Sequence, residues 1–290
     1  MTTFRDAVRQ KDFSTTAELF LRPESDAESI AAQTALLRDH VDGILLTDNQ
    51  AGRLHLSPVA AAGIVLAAGA DPIVQLSTRN RNRVALFAEL LGAAALGVSS
   101  IQLVRGRQVP EGFDPRPKAV VDVDVIELLE MASRIKQDDN LARLPELNVG
   151  SVFTVHRPGP DWMPRKMLAK ADAGARFVLS SLCMNTGVLR EFLRVLVAAG
   201  VPRRLNVLVT IAVFGSADDA RFLRDNRRIH LIPDAVIDRL DAAADPEAEG
   251  IAIAAEQLRA LAGIPGVRGA HLIATRRLAS IPAAIEAARA

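Results

Sequence analysis

The fold is decided by one stretch of sequence, DPIVQLSTRNRNRVALFAELLGAAALGVSSIQLVRG, which covers residues 71–106. It begins and ends with short apolar runs, Pro72–Leu76 and Ser100–Val104, which are typical of buried strands. The residues between the runs have the length and the apolar spacing of a helix. Two strands joined by a helix form a βαβ unit, and the two strands of such a unit are parallel.

The same alternation of strand and helix patterns continues along the whole chain. The other predicted strands are Phe13–Phe20, Asp42–Leu46, Val149–Val155, Arg176–Leu179, Asn206–Ile211 and Ala270–Ile273. Helix starts are predicted at Ser25-Asp26 and Ser57-Pro58, and helix ends at or near Gly92, Gly174 and Gly200. Eight such units without a break in composition, and without G-x-G-x-x-G after the first strand, predict a single (β/α)8 TIM barrel domain over residues 1–290 with a short N-terminal extension.

The composition excludes several classes of function. The 290 residues carry 35 basic and 34 acidic side chains, so no net field attracts nucleic acid or an anionic membrane. The small-apolar run Val59–Ala70 is too short to cross a bilayer. Cys183 has no second cysteine to pair with and is predicted to be a small buried residue. The N-terminal sequence MTTFRDAVRQKD has no apolar segment of a signal peptide, which predicts a cytoplasmic protein.

In a barrel of this kind the functional residues lie at the carboxyl ends of the strands and in the loops that follow. The first predicted strand, in FSTTAELF, puts Ser14, Thr16 and Glu18 on one face, which we expect to point inward. A buried carboxylate has a raised pKa, which suits a general acid near neutrality. The alternative is that Glu18 pairs with an arginine of a neighbouring strand and only stabilises the barrel.

Polar residues also follow the next three strands. The second strand ends in Thr47-Asp48-Asn49, the third runs into QLSTRNRN (residues 75–82), and the fourth ends in Arg105-Gly106-Arg107. Taken alone, Arg79 and Arg81 are as expected for a solvated loop. The Pro-rich segment Gln108–Val123 is long for a barrel loop and is predicted to be a lid or a binding loop. After the fifth strand, His156 is as well explained by a hydrogen bond within its loop as by a ligand.

The sequence contains no motif typical of metal-dependent or hydrolytic enzymes. The five histidines, at positions 40, 55, 156, 230 and 271, show no H-x-H or H-E-x-x-H spacing, so we predict no metal site. No G-x-S-x-G nucleophile elbow occurs, and Cys183 in SLCMN has no signature of a thiol nucleophile.

The order of these segments resembles the methylenetetrahydrofolate reductase family, from about Phe13 to Ile285. The similar segments are AELFLRP, TDNQAGRLHLSP, TRNRNRVALFAELLGAAALGVSSIQLVRG, KADAGARF, IPDAVIDRLDAAADPEAEGIAIAAEQLRAL and GVRGAHLI. The resemblance implies a barrel that binds FAD, uses NADH or NADPH as co-substrate, and interconverts 5,10-methylenetetrahydrofolate and 5-methyltetrahydrofolate. It aligns Glu18 with the family's general acid, which protonates N10 of the folate.

The resemblance also implies which residues contact the ligands. Cofactor contacts are predicted for Thr47, Asn49, Gln75, Ser77, Arg79, Arg81, Asn82, Arg105, Gly106, Arg107, His156 and Lys170. Of these, Arg81, Asn82 and Lys170 match positions around the phosphate and ribose parts of the cofactor, and His156 corresponds to a histidine beside the adenosine. Substrate contacts are predicted for Ser181, Arg107 and Phe214.

Three site positions depart from the family pattern. Gln75 replaces a histidine, Ser180-Ser181 replace Thr-Gln, and Arg107 replaces an aspartate. An arginine has only donors and cannot accept hydrogen bonds from the amino group of a pterin, so the pterin must be held by another residue. Next to a flavin, Arg107 would favour the anionic reduced form; alternatively it points into solvent and Asp114 takes over the acidic position.

Three functions follow from these observations. The first is a flavin-dependent folate oxidoreductase with Glu18 as acid and base. The second passes hydride directly from NADH or NADPH to the folate without flavin, and the third is a folate-binding or complex-forming barrel without catalysis. Apolar stripes on the C-terminal helices would permit a homo-oligomer, but core packing explains them equally well.

Overall fold

The computed structural model describes residues 2–49, 54–107, 116–135 and 146–290. The strands are β1 (Ser14–Glu18), β2 (Gly43–Leu46), β3 (Pro72–Ser77), β4 (Ser100–Val104), β5 (Asn148–Phe153), β6 (Phe177–Ser180), β7 (Asn206–Val213) and β8 (Gly269–Ala274). The helices are α1 (Phe4–Gln10), α2 (Ala27–Leu37), α3 (Pro58–Ala67), α4 (Arg83–Ala95), α5 (Val125–Arg134), α6 (Arg165–Asp172), α7 (Thr186–Ala198), α8 (Ala217–Asp225), α9 (Asp234–Ala242), α10 (Pro246–Ala262) and α11 (Ser280–Arg289). None of the helices in these ranges combines the length and apolarity that a membrane crossing requires.

The strands form a closed parallel barrel in the order β1 to β8, with β8 paired to β1. The fold class and all eight strand predictions are therefore confirmed. The strands are buried on both faces, since the helices cover the outside and side chains fill the inside, and this explains their continuous apolar runs. Across the closure, Thr16 of β1 lies beside His271 of β8, which in turn lies beside Thr210 of β7.

The predicted helix boundaries are correct with one exception. Asp26 caps α2 in a capping box with Ser29, and α3 begins at Pro58 as expected. Gly174 and Gly200 adopt left-handed conformations after α6 and α7. Gly92, in contrast, lies within α4, which continues to Ala95.

The N-terminal end of the barrel is closed by α1. The Phe4 ring packs edge-to-face on Phe177 at a centroid distance of 5.1 Å. The backbone N–H of Phe4 donates to Oδ2 of Asp71 at 2.7 Å, and the Ser99 hydroxyl donates to the same oxygen at 2.7 Å. Burial raises the pKa of Asp71. The N-terminal extension thus closes the amino end of the barrel. Phe4 belongs to an inner apolar cluster, whose other members are Val8, Leu45, Ile73, Phe177, Leu179 and Leu208.

Phe177 fits inside the barrel because its neighbour on β5 is a glycine. A Cβ atom at Gly150 would lie 2.3 Å from the Phe177 ring, which is shorter than any van der Waals contact. Outside the barrel, the apolar residues of the three C-terminal helices, such as Ile237, Leu261 and Ile285, are buried within the chain. Core packing therefore accounts for these stripes.

Candidate active site

A cavity of about 660 Å³ opens at the carboxyl ends of the strands. Every strand contributes to its wall, through Glu18, Leu45, Gln75, Gln102, Val152, Ser180, Thr210 and His271. A second cavity of about 480 Å³ lies at the amino ends of β1 and β2, beside Lys11 and Asp42. We assign function to the first cavity, because barrels of this type carry their chemistry at the carboxyl ends of the strands and use the opposite end for stability.

The part of the cavity that contains Glu18 is formed where β1 meets β8. Glu18 is half-buried in the wall, as the alternation along β1 predicts. One row below it, Thr16 Oγ1 and His271 Nδ1 are joined by a hydrogen bond of 2.9 Å. Burial lowers the pKa of His271 to about 3, so the imidazole is neutral at physiological pH. Its Nε2 is buried and has no hydrogen-bond partner within the described ranges, which leaves it for a ligand.

On the other side of the cavity from Glu18, at its floor, hydrogen bonds link the end of β2 with β3 and β4. The backbone N–H of Asp48 donates to Oε1 of Gln75 at 3.2 Å, and Nε2 of Gln75 donates to Oε1 of Gln102 at 2.6 Å. Because the carbonyl of Gln102 accepts, its amide nitrogen is the donor that remains. The floor therefore presents the amide nitrogen of Gln102 on β4 in an orientation fixed by Gln75, the β3 residue that departs from the family pattern.

Asp48 is also the centre of a buried ionic cluster. Its Oδ2 accepts from the hydroxyl and the backbone N–H of Ser77, at 2.6 and 2.8 Å, and from Arg81 at 2.7 Å. Arg81 also pairs with Glu89 at 3.5 Å. A nearly buried ion pair of this kind is costly to break, since it would leave a charge without its partner. The cluster ties the end of β2 to the loop before α4.

Arg79 holds the end of β4 in place. The residue as a whole is 4% exposed. Its guanidinium donates to the carbonyl of Arg107 at 2.9 Å, to that of Asn49 at 3.2 Å and to Asn80 Oδ1 at 2.7 Å. Gly106 permits this contact, because its φ is +79° and a Cβ atom there would lie 2.8 Å from Cβ of Arg79. The expectation of a solvated Arg79 is therefore wrong.

Arg107 projects from this strand end into the mouth of the cavity. Its side chain is exposed, and partial burial by the cavity walls lowers its pKa. It forms no ion pair with a carboxylate of the described ranges. Asp114, the alternative acid at this position, and residues 108–115 of the predicted lid lie outside the described residues.

The loop between α8 and α9, residues 226–233, forms the facing part of the mouth. It is held by backbone bonds from Leu231 to Leu182 (3.0 Å) and from Met184 to Leu231 (2.7 Å). This contact brings Arg227, Ile229 and His230 to the cavity, where the α8 residue Phe222 joins them. Burial, reinforced by the charge of Arg227, lowers the pKa of His230 to about 4, so this imidazole is neutral.

The end of β6 provides two serines with different roles. Ser180 Oγ accepts from the backbone N–H of Thr210 at 2.8 Å, and Thr210 Oγ1 donates to the carbonyl of Ser180 at 2.6 Å. Ser180 is thus used in the barrel wall. The hydroxyl of Ser181 also lines the cavity, is buried, and has no hydrogen-bond partner in the described part of the chain.

The predicted ligand contacts divide into two groups. The residues that line the cavity are Glu18, Thr47, Asn49, Gln75, Arg79, Arg107 and Ser181. The others, Ser77, Arg81, Asn82, Arg105, Gly106, His156, Lys170 and Phe214, lie outside its wall. Phe214 requires a correction, since it is 1% exposed in the hydrophobic core and cannot contact a ligand in this arrangement.

Two of the outlying residues have other contacts. His156 packs edge-to-face on Trp162 at 4.7 Å and on Phe192 at 5.1 Å, and its Nδ1 lies 3.3 Å from the carbonyl oxygen of Thr154. Lys170 donates to the carbonyl of Val152, and burial lowers its pKa to about 8. Cys183 is buried as predicted, and burial raises the pKa of its thiol to about 11, which does not suit a nucleophile.

With this geometry established, comparison with known proteins identifies the family. The sequence profile of methylenetetrahydrofolate reductase matches residues 3–289. The chain belongs to the methylenetetrahydrofolate reductase family. No curated protein matches the chain.

Solved structures share the barrel at low identity. An uncharacterised protein from Clostridium thermocellum, which binds two copies of 5-methyl-5,6,7,8-tetrahydrofolic acid, is 14% identical with a TM-score of 0.61, over 98% of this chain and 97% of its own. EDTA monooxygenase from a Chelativorans species is 12% identical with a TM-score of 0.56, over 96% of this chain and 92% of its own. Oxaloacetate acetylhydrolase is 13% identical with a TM-score of 0.52, over 97% and 82%. At these identities the likeness is one of fold.

The side chains predicted to anchor FAD do not fit that task well in this member of the family. Arg79 donates to carbonyls of the chain itself, and Arg81 pairs with Asp48 and Glu89. The carbonyl of Asn82 accepts from the backbone of Ala85 and caps α4. Only Lys170, which is desolvated and has no anion near it in the described ranges, keeps the character of a phosphate ligand.

Sequence reasoning missed several wall residues. In the sequence, His271 is one of five histidines without metal-site spacing. Gln102 is part of an apolar strand. Each is a polar residue inside a strand of otherwise apolar or small residues, AHLI and SIQLV, and this signal could have found them. Arg227 and His230 carry no such signal, because a backbone contact of their loop with the end of β6 brings them to the mouth.

Proposed function

We propose that this chain is a folate one-carbon oxidoreductase that interconverts 5,10-methylenetetrahydrofolate and 5-methyltetrahydrofolate, with NADH or NADPH as the source of hydride. The observation that carries this proposal is the placement of Glu18 in the wall of the 660 Å³ cavity in a member of the methylenetetrahydrofolate reductase family. In the reductive direction, Glu18 gives its proton to N10 as the bond between N10 and the methylene carbon breaks. The resulting iminium at N5 accepts hydride on that carbon and becomes the methyl group.

The remaining wall residues suit the binding of a pterin. A pterin edge offers both donors and acceptors, and the Gln102 amide, the Ser181 hydroxyl and Nε2 of His271 provide complementary groups. Because His271 stays neutral, it adds no positive charge to the wall beside Glu18. These groups orient the substrate, and the closed floor of the barrel below them excludes water.

The experiment that tests this function replaces Glu18 by glutamine, which keeps the shape of the side chain but carries no transferable proton. We expect turnover to fall about 10²- to 10⁴-fold, the usual contribution of general acid catalysis, while affinity for 5-methyltetrahydrofolate changes little. Glu24→Gln is the matched control, because Glu24 is an exposed carboxylate of the same loop region outside the cavity. Full activity of Glu18→Gln would remove Glu18 from the mechanism.

A second candidate function is direct transfer of hydride from the nicotinamide to the folate without flavin. It is supported by the engagement of Arg79, Arg81 and Asn82 in contacts within the chain. An absorbance spectrum of the purified protein, repeated after addition of FAD and then of 5-methyltetrahydrofolate under anaerobic conditions, separates the two functions. A flavin band that bleaches supports the flavin enzyme, whereas NADH- or NADPH-dependent turnover by a colourless protein supports direct transfer.

The third function, a folate-binding barrel without catalysis, predicts a different result. Such a protein would bind 5-methyltetrahydrofolate equally well with glutamate or glutamine at position 18, and neither form would oxidise or reduce it.

A further inference from the structure

The mouth of the cavity differs in chemistry from its floor. The floor carries neutral hydrogen-bonding groups together with Glu18 and Asp48, and Asp48 is paired with Arg81. The mouth carries Arg107, Arg227 and two exposed apolar side chains, Phe222 and Ile229. The exposed fractions of Phe222 and Ile229 are 58% and 45%. Apolar side chains that border a cavity and remain open to solvent commonly contact a ligand.

The positive charge of the mouth comes from the arginines. His230 lines the same cavity and adds no charge, since its pKa is lowered to about 4 by burial and then by the charges of Arg227 and Arg107. Its Nδ1 lies 3.1 Å from the carbonyl of Leu223 and must donate the proton, because a carbonyl only accepts. Asp219, an acid in the same wall, is paired with Arg276 at 2.8 Å and bonded to Thr275 at 3.1 Å. Its charge is therefore already compensated.

Contacts within the chain fix the backbone of Arg107 at the mouth of the cavity. Its carbonyl is bound by the buried Arg79, and Gly106 supplies the left-handed backbone that turns it into the cavity. No carboxylate of the described ranges pairs with its guanidinium. Arginine also presents a planar pair of donors that matches a carboxylate in two parallel hydrogen bonds.

We infer that Arg107 and Arg227 bind the carboxylates of the glutamate tail of the folate, while Phe222 and Ile229 pack on the benzoyl ring between tail and pterin. The inference rests on the proposed function, because it names the part of that substrate which each end of the cavity holds. It explains how an arginine can stand at a position where an acidic residue would face the pterin: Arg107 recognises the opposite end of the molecule. A phosphate of the nicotinamide dinucleotide has the same anionic chemistry, so the test must separate the two sources.

The test measures dissociation constants for three folates by titration calorimetry. The first is the carboxamide of 5-methyltetrahydropteroate, below called the pteroate, which has neither glutamate nor a free carboxylate. The others are the mono- and triglutamates of 5-methyltetrahydrofolate. The proteins are the wild type, Arg107→Gln, Arg227→Gln and the control Arg228→Gln. Arg228 lies in the same loop and is exposed, but it does not line the cavity. NADH and NADPH are titrated into the same proteins.

We expect the wild type to bind the monoglutamate more tightly than the pteroate. Arg107→Gln and Arg227→Gln should each weaken the glutamates by about tenfold, as for the loss of one charge-assisted hydrogen bond, and leave the pteroate unchanged. Arg228→Gln should bind all three folates like the wild type. The wild-type preference for the glutamates should also decrease as salt is added.

Three results would overturn the inference while leaving the proposed function intact. Equal weakening of pteroate and glutamates would place Arg107 on the pterin, and loss of NADH or NADPH affinity alone would assign the arginines to a phosphate. Unchanged affinities in both variants would leave the arginines without a ligand. If no folate bound to the wild type, the proposed function would fail, and this inference would fail with it.

Discussion

The two ends of the barrel are built from the same eight strands and differ in what fills them. At the amino end, Phe4 and Phe177 close the interior with aromatic and aliphatic contacts, and the buried Asp71 is bonded to the chain. The Ser14 hydroxyl at this end is buried, does not line the cavity at the carboxyl end, and has no partner in the described ranges. At the carboxyl end, His271 and Ser181 have buried polar atoms without partners in the described ranges. The difference teaches that packed rings close the first end, whereas at the second end the unpaired polar groups line an open cavity that a ligand can enter.

The largest effect is expected where the closed end is opened. Phe4→Ala should lower the free energy of unfolding by about 3–5 kcal/mol, because it removes a fully buried ring and leaves a cavity next to Phe177. The matched variant at the open end is Phe222→Ala, whose ring is largely exposed, and it should cost less than about 1 kcal/mol. Urea unfolding of both proteins measures this difference. Similar losses for the two variants would contradict the division between the ends.

Ligand affinity should show the reverse order. In the same two variants, Phe222→Ala should weaken binding of 5-methyltetrahydrofolate, while the folded fraction of Phe4→Ala should bind it like the wild type. A Phe4→Ala protein that folds but cannot bind would show that the floor of the barrel also sets the shape of the cavity.

A smaller effect is expected from the neutral histidine of the open end. The pKa of His271 falls from an ordinary 6.5 to about 3 on folding, so below pH 6.5 the unfolded chain takes up a proton that the folded chain does not. Stability from this group is therefore fully present above pH 6.5 and is lost as the pH falls toward 3. Between pH 7 and pH 5 the loss should be about 2 kcal/mol.

His271→Gln removes this titration and serves as the reference. Urea unfolding at both pH values should show a steeper loss for the wild type than for the variant. Parallel losses would mean that water reaches the imidazole, and the floor of the cavity would then be wetter than its burial indicates.

The smallest effect is expected at Gly106, which directs Arg107 toward the mouth. Gly106→Ala should destabilise the fold by about 1–2 kcal/mol, because its backbone is left-handed and the new Cβ would approach Arg79. Gly92→Ala is the control of opposite sign. It lies within α4 with no atom within 4 Å of an added Cβ, so alanine should stabilise the helix by up to about 1 kcal/mol. Thermal unfolding of the two variants measures this difference, and a Gly106→Ala protein as stable as the wild type would show that position 106 does not require glycine.

The sequence by itself determined the architecture and the position of the site along each strand. Strands alternate with helices at a regular spacing, and the two-residue period of a strand already points Glu18 into the barrel. The order of segments was also sufficient to identify the family. These features depend on neighbouring residues in the chain, so a pattern can report them.

Only the tertiary structure decided which polar residues contact one another and which of them bind groups of their own chain. Arg79, Arg81 and Asn82 bind their own chain, because Asp48 and the carbonyls of distant loops lie beside them only after the barrel closes. His271 meets Thr16 across 255 positions of sequence, at the closure of β8 on β1. The loop that carries Arg227 reaches the mouth through a backbone contact with the segment after β6. Such partners depend on register and closure, which no local pattern contains.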